Sequence, residues 1–267
     1  YNQQDVAVIE LVRGVRYYYN IRGLWDQRLI VNLYHADAAS RLNNSPQEAR
    51  ALAELVISLT KQGRSEEAEK YFPRLHRAIE SVEVPPPTFF AYQYAIAIYL
   101  LAKEDIDNAQ QVLVDTLPFS RSLGGEPYIL NRRWLAVCLY QKGRLEESER
   151  LFREALHDAK IEGHQRAVIG NLIRITRIEL DRKNLDTAFE ILNYCYNEAL
   201  HHQDRRRLAE VYPLFARLHA LRGDLPAAHT AFAEAIDLFE RLGMRRELAE
   251  ARAELVRLDA APPAMES

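Results

Sequence analysis

Four of the ten glycines stand at positions 23, 63, 143 and 223, so the first gap is half of each of the next two. The missing members of the series fall near 103 and 183. There the chain reads Lys103-Glu104-Asp105-Ile106-Asp107-Asn108-Ala109 and Lys183-Asn184-Leu185-Asp186-Thr187-Ala188. Beside Gly63-Arg-Ser-Glu-Glu-Ala68 and Gly143-Arg-Leu-Glu-Glu-Ser148 these are the same turn with the glycine replaced. The anchors are then 23, 63, 104, 143, 183 and 223. A period of about 40 residues held through six anchors means one supersecondary unit stacked on copies of itself. A second series of turn residues, Asn43, Gly124, Gly163, Gln203 and Gly243, follows the same period half a unit later. Two turns per unit make a pair of helices of about 17 residues each.

Apolar columns run through the copies. Eight residues before each turn anchor lie Val15, Leu55, Ile96, Leu135, Ile175 and Phe215. Five residues after it, from the second unit on, lie Ala68, Ala109, Ser148, Ala188 and Ala228, small enough for two helices to approach closely. Four residues later comes a large apolar group: Phe72, Leu113, Phe152, Leu192 and Phe232. In the fourth unit, Pro127 suits a helix start, Gly143 a helix end, and Leu145 to Ile161 a second helix closed by Gly163.

The apolar and small pair in the first helix, the turn, and the small and large pair in the second helix together resemble the tetratricopeptide repeat. The unit here runs to about 40 residues, against a usual length of about 34. HEAT and armadillo repeats approach this length, but Pro73, Pro118 and Pro213 share no phase in the units. The resemblance implies an all-α, right-handed helical-hairpin solenoid of about six helix pairs. The units read as 5–44, 45–84, 85–125, 126–163, 164–203 and 204–243, with a capping helix at 245–259 and a disordered tail at 260–267. The stretch Tyr18 to Leu29 is similar to the first repeat after the ATPase part of bacterial signalling ATPases of the STAND and NB-ARC type. That likeness implies a sensor or interaction arm of a larger cytoplasmic regulator, with an ATPase part upstream of Tyr1. The first residue is not Met, which fits an excerpt of a longer chain.

Composition excludes several alternatives. Lys plus Arg number 35 and Asp plus Glu 38. The halves 1–133 and 134–267 carry 15 against 16 and 20 against 22, so neither offers the basic excess of a nucleic-acid binder. Arg205-Arg206-Arg207 reads as a solvated helix start. Cys138 and Cys195, each between apolar residues, read as core and exclude a disulfide framework. No apolar stretch is long enough to cross a membrane. No hydrolase, zinc-protease, phosphate-loop or dinucleotide motif occurs, and His201-His202 cannot face one way on a helix. The expectation is a protein that is not an enzyme and has neither cofactor nor metal.

What remains is a binding surface. With the core side of each first helix known, the opposite stripe follows at 100° per residue. It selects Arg13, Tyr17 and Asn20 in the first unit, Arg50 in the second, and Tyr94 and Ile98 in the third. Arg133 and Tyr140 follow in the fourth, Arg177 in the fifth, and Glu210 and Arg217 in the sixth. Arginine and tyrosine on one face suit an extended protein or peptide partner bearing carboxylates or phosphates. Two alternatives stand beside this reading: a small-molecule module, and a scaffold that homodimerises through its N-terminal face. There Val6, Val8, Ile9, Leu11 and Val12 lack a polar cap. Pro85-Pro86-Pro87 reads as a stiff loop or a hinge, and Pro73 and Pro213 as helix kinks or delayed starts.

Overall fold

The computed structural model describes residues 2–80 and 83–260, apart from the side chains of Asn2 and Tyr17. The tail expected at 260–267 lies outside them except for Ala260, which ends a helix. Every regular element among the described residues is helical. The first helices of the units are α1 (Asn2–Arg22), α3 (Ser45–Lys61), α6 (Pro86–Ala102), α8 (Gly125–Gln141), α10 (Gln165–Asp181) and α12 (Arg205–Leu221). The second helices are α2 (Trp25–Arg41), α4 (Ser65–Glu69) continued by α5 (Phe72–Glu80), α7 (Ile106–Leu123), α9 (Leu145–Ile161), α11 (Leu185–His201) and α13 (Leu225–Arg241). The last helix, α14 (Arg245–Ala260), packs on α13. The chain divides into two compact units, Tyr1–Asn20 with Leu24–His164, and Ile21–Gly23 with Gln165–Ser267.

Both series of turns place a residue at positive φ. Gly23, Gly63, Glu104, Gly143, Lys183 and Gly223 all have positive φ, and so do Asn43, Gly124, Gly163, Gln203 and Gly243. Around Gly143 the Arg144 N–H donates to the Leu139 carbonyl at 2.9 Å, and the Gly143 N–H to the Tyr140 carbonyl at 3.0 Å. The first bond closes a helix end through a left-handed residue, and equivalents recur at Arg64, Asp105, Asn184 and Asp224. The next helix is then capped from the same short linker. Asp105, Asp204 and Asp224 accept from the backbone N–H three residues on, at 3.3, 3.1 and 3.1 Å.

The small column is buried in every pair that carries it. Ala68, Ala109, Ser148, Ala188 and Ala228 are fully buried, and the Ser148 hydroxyl donates to the Ala136 carbonyl at 2.7 Å. In the first unit the column is broken: Arg28 and Asn32 take the small and large places, and both are buried. The prolines take different places. The second helix breaks after Glu69 and restarts at Phe72, with Pro73 in its first turn. Pro213 sits inside an unbroken α12. Pro85 is extended (φ −55°, ψ 139°), while Pro86 and Pro87 open α6. Cys138 and Cys195 are buried as expected, and burial pushes their thiols up to about 11 and about 12.

A glycine is needed at these turns for φ alone, since a Cβ at Gly143 or Gly223 would meet nothing within 4 Å. Glu104→Gly and Lys183→Gly should therefore each raise stability by about 1 kcal/mol, and Gly143→Ala should lower it by about as much. Urea denaturation of the three variants tests this.

Candidate binding face

In the first compact unit, three helices bring their arginines to one carboxylate. Glu54 of α3 accepts from Arg16 of α1 at 3.1 Å, from Arg50 one turn earlier at 3.1 Å, and from Arg28 of α2. Glu54 and Arg28 are buried. Burial alone would push the Glu54 pKa up, but Arg28, Arg50, Arg16 and Lys61 together pull it down to about 2. Three guanidiniums thus converge on this carboxylate, and Arg50 also interacts with Glu126. His35 is close to them, with its ring nitrogen 3.2 Å from the Gln47 side-chain oxygen. Burial lowers the His35 pKa, and Arg16, Arg13 and Arg50 lower it further. Arg50 also donates to the Pro87 carbonyl at 3.0 Å, tying α3 to the start of α6.

The other stripe residues of this unit divide into two groups. Arg13 is exposed and donates to its helical neighbour Glu10 at 2.9 Å, while Asn20, Arg133 and Tyr140 are half-buried. Arg133 lies 5.9 Å from the Trp134 ring centre. The side chain of Tyr17 lies outside the described residues. Tyr94 and Ile98 belong instead to the core, at 9% and 4% exposure. The Tyr94 hydroxyl accepts from the Trp134 indole at 2.9 Å, and Phe90 stacks on its ring. Neither residue therefore lies on an open face: Trp134 and Phe90 pack against Tyr94.

In the second unit Glu210 is likewise no open groove residue. It accepts from Arg206 at 3.2 Å and from Arg207, and it is held strongly ionised by Arg207, Arg206 and Arg174 against its burial. The three-arginine run is therefore not a solvated helix start. Arg205 is exposed, whereas Arg206 and Arg207 turn inward onto Glu210. Asp204 caps α12 and pairs with Arg166 of α10 at 2.7 Å. Arg217 of α12 reaches Asp181 of α10 at 2.6 Å, and Arg177 is half-buried on α10. Glu247 of α14 is packed beside this network with burial raising its pKa.

Sequence reasoning missed Glu54, Arg28 and Arg16. The break in the small column at Arg28 was the available signal. It also missed Arg132, buried in α8, which pairs with Glu154 and Asp158 of α9 and lies over the Tyr128 ring at 4.2 Å. An open cavity of about 570 Å³ adjoins that pair along α9. Among the described residues no group of three or more potential ligands could hold a metal. No described helix is long and apolar enough to cross a membrane.

No protein-family model and no curated protein matches the sequence. Solved structures do resemble it. A Rap protein complexed with competence and sporulation factor aligns at TM-score 0.65 and 18% identity, covering 91% of this chain and 74% of its own. BtubC from P. vanneervenii aligns at 0.56 and 15%, covering 82% and 92%. A STAND protein with a tetratricopeptide repeat sensor from Pyrococcus horikoshii aligns at 0.55 and 15%, covering 96% of this chain but 47% of that one. At these identities the likeness is one of fold: the chain is a tetratricopeptide-type array of helix pairs.

Two substitutions test the electrostatics. The Glu54 pKa is lowered on folding, so its contribution is complete above its ordinary 4.5 and lost as pH falls from there toward about 2. Glu54→Gln should cost about 3 kcal/mol at pH 7 and progressively less through that window. The Glu247 pKa is raised, so its ionised form opposes folding at neutral pH. Glu247→Gln should raise the melting temperature at pH 7, with the gain vanishing in acid.

Proposed function

We propose that this chain is a protein- or peptide-binding helical repeat array that takes acidic, extended segments on its first helices. It serves as the sensor or interaction arm of a larger cytoplasmic regulatory protein. The observation that carries this reading is the convergence of Arg16, Arg28 and Arg50 on Glu54. Arg13 and Arg133 extend the positive stripe in the first compact unit, with Asn20 and Tyr140 assigned to the same stripe. Arg177 and Arg217 carry the same role in the second unit. Arginine binds carboxylates through two parallel donors, and desolvated surroundings strengthen each bond.

Two structural neighbours support the role. The Pyrococcus horikoshii protein carries its repeats as a sensor within a signal transduction ATPase, and the Rap protein was solved with a factor bound. Coupling to an ATPase in the same polypeptide belongs to this proposal. A recognition role accords with Glu54 and Glu210 being committed to arginine pairs and with both thiols being buried with raised pKa values.

A display library of random decapeptides panned against the 267-residue chain should enrich Asp and Glu, and capture should weaken as salt rises. Charge reversal at Arg133, Arg177 and Arg217 should reduce capture at least about tenfold with helicity unchanged. Enrichment of neutral or basic peptides, or capture indifferent to the three reversals, would count against the assignment.

A further inference from the structure

We propose that α14 is a pH-gated cap on the second compact unit: it seats on α13 in mild acid and loosens as the pH rises past neutral. Its seat is slight. Of its 16 residues Ala251 alone is buried, with Leu248, Leu255 and Leu258 half-buried. By contrast, α13 buries Ala228, Ala231, Phe232, Ala235 and Phe239. A helix that removes so little apolar surface from water gains little from it. Polar contacts then decide its position, and two of them titrate in the same direction.

The first is Glu247, in the opening turn of α14. Its Oε2 atom is enclosed and has no hydrogen-bond partner. The charged groups that bear on it are Arg206 and Glu210 of α12 and Glu250 of its own helix. Arg206 is already paired with Glu210 at 3.2 Å, and Glu250 with Arg246 at 2.8 Å. Against its burial, Glu210 is held ionised by Arg207, Arg206 and Arg174, so its charge faces Glu247 throughout the neutral range. Burial, with Glu210 and Glu250 behind it, raises the Glu247 pKa against the pull of Arg206. Protonated Glu247 therefore suits the enclosed place, and the ionised form opposes it. The second contact is His229 of α13, whose Nε2 lies 3.2 Å from Oδ1 of Asp259 near the far end of α14. Protonation makes this an ion pair, and histidine changes charge between about pH 5 and 8. α13 also offers Glu240, which accepts from Arg252, a pair whose charges persist through that range. Both titrating contacts favour seating in acid. The penalty from Glu247 is absent below its ordinary 4.5 and complete above its raised value. The His229–Asp259 attraction is lost as the imidazole deprotonates.

Hydrogen exchange of the 267-residue chain at about pH 5.5 and about pH 8, corrected for intrinsic rates, tests this. Protection of the α14 amides, taken relative to those of α12, should fall roughly tenfold between the two. Glu247→Gln should keep most of that protection at the higher pH. His229→Gln should lose a smaller part, about two- to threefold, at the lower pH. The double variant should hold α14 equally at both, with α12 protection and helicity unchanged. Relative protection of α14 that does not change with pH in the parent chain overturns the proposal, as does a pH dependence that survives in the double variant. Loss of protection in α12 in step with α14 would also overturn it, because the whole unit would then be opening.

Discussion

The positive-φ residue that ends most of the helices is the constraint on which the rest depends. It reverses the chain within about three residues, while one backbone bond, such as Arg144 N–H to the Leu139 carbonyl, fixes the angle of reversal. Because the turn recurs at a fixed period, with an extended Pro85 in its place before α6, equivalent positions of successive helices fall into columns. The fully buried Ala and Ser column then sets how closely paired helices approach. A bulkier residue there would splay the pair. The first unit accepts Arg28 in that place, where its guanidinium reaches Glu54 of the neighbouring helix.

That substitution ties fold to recognition. A buried carboxylate shared by three arginines is poor evidence of added stability, since desolvating four ionised groups offsets much of their attraction. Its clearer consequence is a field: cations drawn inward and outnumbering the carboxylate, on the side of α3 toward α1 and α2. The second compact unit repeats the arrangement. Arg206 and Arg207 converge on Glu210 within α12, with Arg174 nearby, and Arg166 pairs with Asp204. The two units thus share a helix-pair plan and a buried carboxylate ringed by arginines.

Much of the fold was legible because helix ends leave a local trace. Leu145–Ile161 follows the sequence reading from end to end, and Glu104 and Lys183 take positive φ where register alone placed a turn. The binding stripe was legible only as an angle. Periodicity fixes the direction of a side chain on its own helix, but not which neighbours reach over it, so Tyr94 and Ile98 were closed off by contacts that no period encodes. Arg206 and Arg207 show the same limit in reverse. A run of like charges reads as solvated until the fold supplies Glu210 beside it. Arg28 was visible as a broken column, but its counter-charge, on the next helix of the array, was not.

The central claim is that the first helices receive the partner and the second helices support them. Hydrogen exchange of the full chain, with and without a saturating acidic decapeptide selected by display, tests it most directly. Added protection should concentrate on the ends and exposed amides of α1, α3 and α8 in the first compact unit and of α10 and α12 in the second, leaving α9, α11 and α13 unchanged. Protection confined to the second helices would contradict the account.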